Sequence, residues 1–140
     1  MKLRNLAAAA ATLLLAGCAT GYHGAGFTGG YWEHEGPGEL IKVHFAGNGF
    51  SDASTVDKYL LRRCAEVAQA KGKPYFRMYP SIAEAIIEEK VRKQMVSMVT
   101  NGPLGYAYVL LEDQPGKDTI STADTLAATA HLVDDKKGKK

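Results

Sequence analysis

Ile41-Lys42-Val43-His44-Phe45-Ala46 is followed by Gly47-Asn48-Gly49, and then by Val56, Tyr59, Leu60, Cys64, Val67 and Ala68 at helical spacing. The first hexapeptide alternates apolar with polar side chains, the period of a strand with one buried face. The two glycines and the asparagine tolerate backbone conformations that other residues avoid, so they predict a tight turn. Ser54 with Asp57 three residues on can cap the helix, and Gly72 followed by Pro74 ends it. A strand, a turn and a long amphipathic helix in that order predict an α/β fold.

Downstream, residues 75–79 read as a short strand. Ser81 with Glu84 forms a possible capping box for a second helix running to about Ser97. Glu88 with Arg92 and Glu89 with Lys93 stand at the favourable four-residue spacing, and Ile87, Val91 and Met95 line one side. The last turn of this helix has a second reading, as a strand ending at Asn101-Gly102-Pro103. Residues 106–111 form a continuous apolar run, expected to be a central strand buried on both faces. Gln114-Pro115-Gly116 turns the chain toward a short strand at 119–121, and Ser121 with Asp124 opens a final helix marked by Leu126, Ala130 and Val133.

The expected domain is single, from 39 to 133: a small two-layer sandwich with helices packed on one side of a small mixed sheet. If the strands at 41–46 and 75–79 are parallel neighbours, the helix between them makes a right-handed crossover. Residues 134–140 read as a Lys-rich disordered tail. A domain this small has little spare core for a deep internal pocket.

The start of the chain has a different character. Lys2 and Arg4 precede an apolar run over residues 6–15, and small residues follow, which is the layout of a signal peptide spanning 1–17. The run is too short to cross a bilayer, which takes about 20 apolar residues. Leu15-Ala16-Gly17-Cys18 resembles the lipobox of bacterial lipoproteins, which implies that Cys18 receives a diacylglycerol thioether, becomes the new N-terminus and is acylated. The alternative is an ordinary thiol behind a conventional cleavage site. Two or three acyl chains would hold the protein firmly, because each buried methylene adds about 0.8 kcal/mol of membrane affinity. Ala19, in place of an aspartate, resembles the outer-membrane sorting pattern of Gram-negative lipoproteins.

Residues 18–38 then read as the lipidated cysteine and a Gly-rich tether, with a span of roughly 25 Å for twenty flexible residues. Tyr22, Phe27, Tyr31 and Trp32 within it are expected to cap the core or rest at the membrane interface.

Removal of 1–17 takes two of the 17 basic residues and none of the 15 acidic ones, so the mature chain is formally neutral. Four of its lysines, Lys136, Lys137, Lys139 and Lys140, lie in the last five positions, which leaves a mildly acidic body. That balance argues against a nucleic-acid partner. With Cys18 lipidated, Cys64 has no cysteine to pair with and reads as a buried structural thiol.

Gly30-Tyr31-Trp32-Glu33, the run 42–51, Tyr59-Leu60-Leu61-Arg62-Arg63-Cys64-Ala65-Glu66 and Tyr75-Phe76 resemble a group of short proteobacterial lipoproteins of unknown function. The resemblance implies an envelope location and a similar fold, and it transfers no catalytic residue.

No strong catalytic pattern stands out. Gly47-Asn48-Gly49 between strand and helix invites an anion-binding reading, but the third glycine of a dinucleotide fingerprint and the Lys-Ser/Thr of a P-loop are missing. Glu33-His34-Glu35, with His23 or His44, could bind a metal weakly without any zinc spacing. Ser51, Asp52 and His44 could form a nucleophilic set, although no nucleophile elbow marks the serine. Arg63 and Glu66, three apart, read as a helix-surface ion pair. No cofactor is expected.

The reading that follows is a membrane-anchored envelope lipoprotein, non-enzymatic, presenting its domain for protein or cell-wall contact. A small-molecule or lipid-binding module of the periplasm is the alternative, with an apolar surface around Trp32, Phe45 and Tyr106.

Overall fold

The computed structural model describes residues 18–87, 95–99 and 102–134. The signal segment 1–17, the pairs Glu88–Arg92 and Glu89–Lys93, Asn101 of the expected turn, and tail residues 135–140 lie outside the described residues.

The elements in chain order are β1 (Gly30–Glu35), β2 (Ile41–Ala46), α1 (Ala53–Ala70), β3 (Tyr75–Tyr79), α2 (Ile82–Ile87), β4 (Met95–Val99), β5 (Gly102–Glu112), β6 (Ile120–Ser121), α3 (Thr122–Ala128) and α4 (His131–Asp134). The strands form one six-stranded sheet in the order β1-β2-β5-β3-β6, with β4 also paired to β5. Every pairing is antiparallel.

The fold is therefore mixed α/β, but the sheet is not mixed. β2 and β3 are both antiparallel to β5, so they run in the same direction with β5 between them instead of lying side by side. β2-α1-β3 is thus a split β-α-β unit. The reason lies in β5, whose 11 residues pair with β2 along one edge and with β4 and β3 in succession along the other. Its burial alternates residue by residue, so it is buried on one face and not on both.

The core explains α1. Val56, Leu60, Cys64, Ala65, Val67 and Ala68 of this helix are buried against Val43 and Phe45 of β2, Phe76 and Met78 of β3, and Ala107 and Val109 of β5. Contact is close enough that a β-carbon on Gly105 would come within 3.1 Å of Val56 and 3.2 Å of Leu60. The helix starts two residues earlier than expected. Asp52, not Ser54, is its N-cap, and the carboxylate accepts from Thr55 N at 2.9 Å and from Thr55 Oγ1 at 2.6 Å. Gly72 stands just past the end at φ 68°, the left-handed position that glycine fills without strain.

Ser81 caps α2 as the spacing predicts, its Oγ accepting from Glu84 N at 3.2 Å. α2 takes up the first residues of the expected second helix, and from Met95 the chain is strand β4, the second reading of that segment; there pairing to β5 wins over helical periodicity. The last helix is also divided. Thr129 ends α3, its Oγ1 donating to Thr125 O at 2.6 Å, and α4 takes up residues 131–134, including the first position assigned to the tail.

The largest departure concerns the segment read as a tether. Residues 30–35 form β1, paired with β2 from Gly30–Ala46 to Glu35–Ile41. Residues 18–29 fold onto the same body. Thr20 is buried, its amide donating to Ser51 Oγ at 3.1 Å, and Tyr22 packs against the core. Glycine content predicted freedom, but aromatic side chains between the glycines supply enough buried surface to order the segment.

Candidate functional site

Side chains alternate across a strand, so the face away from α1 is set by the same registers that build the core. Two cross-strand rows lie on it. Trp32, His44 and Tyr106 are directly opposite one another on β1, β2 and β5, and His34, Lys42, Tyr108 and Tyr79 form the next row across β1, β2, β5 and β3.

The rows are in ring contact. Trp32 stacks on His44 with centroids 4.6 Å apart and planes within 5°. His34 stacks on His44 at 5.0 Å, and Tyr106 approaches it at 6.3 Å. The Lys42 ammonium lies over Tyr106 at 4.6 Å and Tyr108 at 5.2 Å, a placement that attracts a cation to a ring face. His44 is buried beneath these neighbours, and its Nδ1 has no hydrogen-bond partner among the described residues. Desolvation, with help from Lys42 and His34, lowers its pKa from 6.5 to about 4, so the ring is neutral at physiological pH. Trp32 remains 36% exposed at the rim. The result is an aromatic surface with one amine on it, suited to stacking on a ring and to accepting hydrogen-bonding groups beside it.

Sequence reading drew Trp32, Phe45 and Tyr106 into one surface. Phe45 is instead fully buried on the α1 side, and His44 takes its place between the other two. His34, Lys42 and Tyr108 were missed. Their signal is the period-two recurrence of ring or cationic side chains at 32/34, 42/44 and 106/108.

On the opposite face a charged network ties distant segments together. Arg63 grips Glu33 with two bonds, Nη2 to Oε1 at 2.7 Å and Nε to Oε2 at 3.1 Å, and reaches Glu66 at 3.1 Å. Arg62 lies 2.9 Å from Glu66 Oε1 and also contacts the Thr129 hydroxyl at 3.2 Å. The Arg63 guanidinium sits 4.1 Å from the Tyr31 ring centre. The Arg63–Glu66 pair is thus part of a brace from β1 to α1 and not a lone surface pair. A groove of about 460 Å³ follows this brace, with Ile41, Val67 and Lys71 among its walls.

The other candidates are dispersed. Glu33 and His34 point to opposite faces, so the Glu33-His34-Glu35 run does not converge. Among the described residues no three His, Cys, Asp or Glu side chains group as a metal site. Ser51 Oγ accepts from Thr20 N and Asn48 N, Asp52 caps α1, and His44 lies in the Trp32 stack, so the three do not meet. In the 47–51 loop the amides of Gly47, Asn48, Phe50 and Ser51 already donate to Pro103 O, Ser51 Oγ, Asn48 Oδ1 and Asn48 O. They make a structural turn in place of an anion cradle. Cys64 is fully buried, and desolvation pushes its thiol pKa up, away from reactivity. Cys18 is exposed, and its carbonyl oxygen accepts from Asn48 Nδ2 at 2.8 Å.

No helix among the described residues is long and apolar enough to cross a membrane. No family model matches the chain, and no curated protein or solved structure matches it.

Proposed function

We propose that this chain is a bacterial envelope lipoprotein, attached through acyl chains on Cys18 to the periplasmic face of the outer membrane, which presents its domain to the cell wall without catalysing a reaction. The Leu15-Ala16-Gly17-Cys18 motif supports the anchor. The observation that carries the binding role is the Trp32–His44–Tyr106 row with Lys42 beside it. The C–H faces of sugar rings pack on such aromatic surfaces, and the Lys42 amine offers hydrogen bonds to hydroxyl, amide or carboxylate groups of a wall polymer, while buried His44 backs the rings. The fold in this reading is a two-layer sandwich, with α1 and α3 on one side of the sheet and the exposed rim of the ring-bearing side, at Trp32 and His34, turned to the partner. The shared core of α1 with β2, β3 and β5 supports that arrangement.

Two measurements test it. Cys18→Ala should release the protein from membranes on cell fractionation; continued firm attachment would refute the anchor. The purified protein should co-sediment with isolated cell-wall sacculi, and Trp32→Ala and Tyr106→Ala should each weaken this at least fivefold. Equal sedimentation of both variants would remove the ring face from the function. A small-molecule module is the second reading, favoured by the groove between β1 and α1. Its walls carry the ion-paired Glu33, Arg63 and Glu66 together with His34, Glu35 and Lys71, so a ligand there would be polar, and protection of Lys71 from acetylation by that ligand would mark it.

A further inference from the structure

Cys18 is bound into the end of the domain that carries the two most exposed phenylalanines. Asn48 holds the Cys18 carbonyl, and Phe50, in the same turn, is 65% exposed. The Thr20 hydroxyl donates to Thr28 O at 2.5 Å, and the neighbouring Phe27 is exposed in full at the tip of a turn closed by paired Gly26 and Gly29 hydrogen bonds. Thr20 is buried, so a single residue, Ala19, separates the anchor residue from the folded body, two chain steps or about 7 Å at full extension.

Charge follows the same polarity. Residues 24–29 and 47–51 contain no charged side chain, and the adjacent Asp52 is engaged in capping α1. At the other end of β1, β2 and β5, residues 35–40 and 112–118 carry Glu35, Glu39, Glu112, Asp113, Lys117 and Asp118. An end whose one carboxylate, Asp52, is engaged in capping α1, and which carries two protruding rings and the attachment point, is matched to the headgroup–acyl boundary, where aromatic side chains are at home.

We propose that the turns at 24–29 and 47–51 form a membrane-seating surface, in which Phe27 and Phe50 enter the interfacial layer of the bilayer beside the Cys18 acyl chains. This rests on the anchor reading and adds an orientation to it. The domain stands on the lipid by the end that carries these two turns, with the strands rising from the surface. A leash of one residue, with the Cys18 carbonyl itself held by Asn48, gives it no freedom to turn away, so the rings and the acyl chains act together.

The test uses the full chain purified from membranes, with intact mass recorded for Cys18, reconstituted in phosphatidylcholine–phosphatidylglycerol vesicles bearing brominated acyl chains. In a Trp32→Phe background, Phe27→Trp, Phe50→Trp and Gln114→Trp each supply one reporter. The first two should be quenched at least twofold with a blue-shifted emission, and the Gln114→Trp reporter at the far end should be unaffected. Acylated Cys18 with all three reporters quenched alike, or none quenched, would overturn the seating surface while the anchor stands. Unmodified Cys18 with Phe27→Trp and Phe50→Trp still selectively quenched by added vesicles would uphold the surface and refute the anchor. Unmodified Cys18 without quenching would overturn both.

Discussion

The Tyr22 hydroxyl donates to Glu66 Oε2 at 2.5 Å, joining residues 44 apart in sequence and locking the segment after Cys18 to the middle of α1. The Tyr22 ring also lies 5.0 Å from Tyr31 and 5.4 Å from Tyr59, so both its apolar body and its polar tip are used. Burial and then Glu66 push the phenol above its ordinary pKa, which keeps it a donor at any physiological pH.

Tyr22→Phe should cost about 1.5–3 kcal/mol, the range of a hydrogen bond to a charged acceptor. For a domain of this size that lowers Tm by several degrees. Thermal denaturation checks it, and a double-mutant cycle with Glu66→Gln isolates the coupling. An unchanged Tm would show that the ring packing alone holds the segment.

His44 should make stability depend on pH. Its folded pKa, about 4, is below the unfolded value near 6.5, so the unfolded chain binds the proton more readily in between. The contribution is present in full above about pH 6.5, falls as the pH drops toward 4, and is on the order of 3 kcal/mol. Urea midpoints at pH 7 and pH 4.5 should therefore converge more closely in His44→Phe than in the parent. An equal drop in both proteins would assign the acid sensitivity to other groups.

Cys64 should be inert. In Cys18→Ala protein a thiol reagent should react slowly under native conditions and stoichiometrically after unfolding, because the sulfur is fully buried and its thiolate is disfavoured by desolvation. Rapid native labelling would contradict the packing of α1 on the sheet.

Gly102→Ala should destabilise by at least about 2 kcal/mol. Gly102 has φ 131°, and an added β-carbon would lie 2.3 Å from Asn48 O. Gly49→Ala, in the loop beside it, meets nothing within 4 Å and should stay within about 0.5 kcal/mol of the parent. Paired chemical denaturation curves separate the two; similar losses would mean that the loop, and not the close backbone approach, sets the cost.

Part of the ring-bearing face was legible. Trp32 and Tyr106 stand out by residue type, but grouping them with Phe45 overlooked the alternation that sends residues 44 and 45 to opposite faces. Arg63 and Glu66 were visible as a pair because helical spacing is local. Glu33, which completes the brace from another element, carries no mark of it in the sequence.

What the sequence by itself determined are the features whose cause is local: the apolar stripe of α1, the alternation of β2, the glycine stop at Gly72, the serine caps at Ser81 and Ser121, and the burial of Cys64. Tertiary structure alone decided that β5 separates β2 from β3, that residues 30–35 become a strand, and that Trp32, His44 and Tyr106 share a row. The physical reason is that side-chain periodicity specifies which face of an element is apolar. Strand pairing is made by backbone amides and carbonyls that nearly every residue possesses, so partner and register are chosen only when the whole core is assembled.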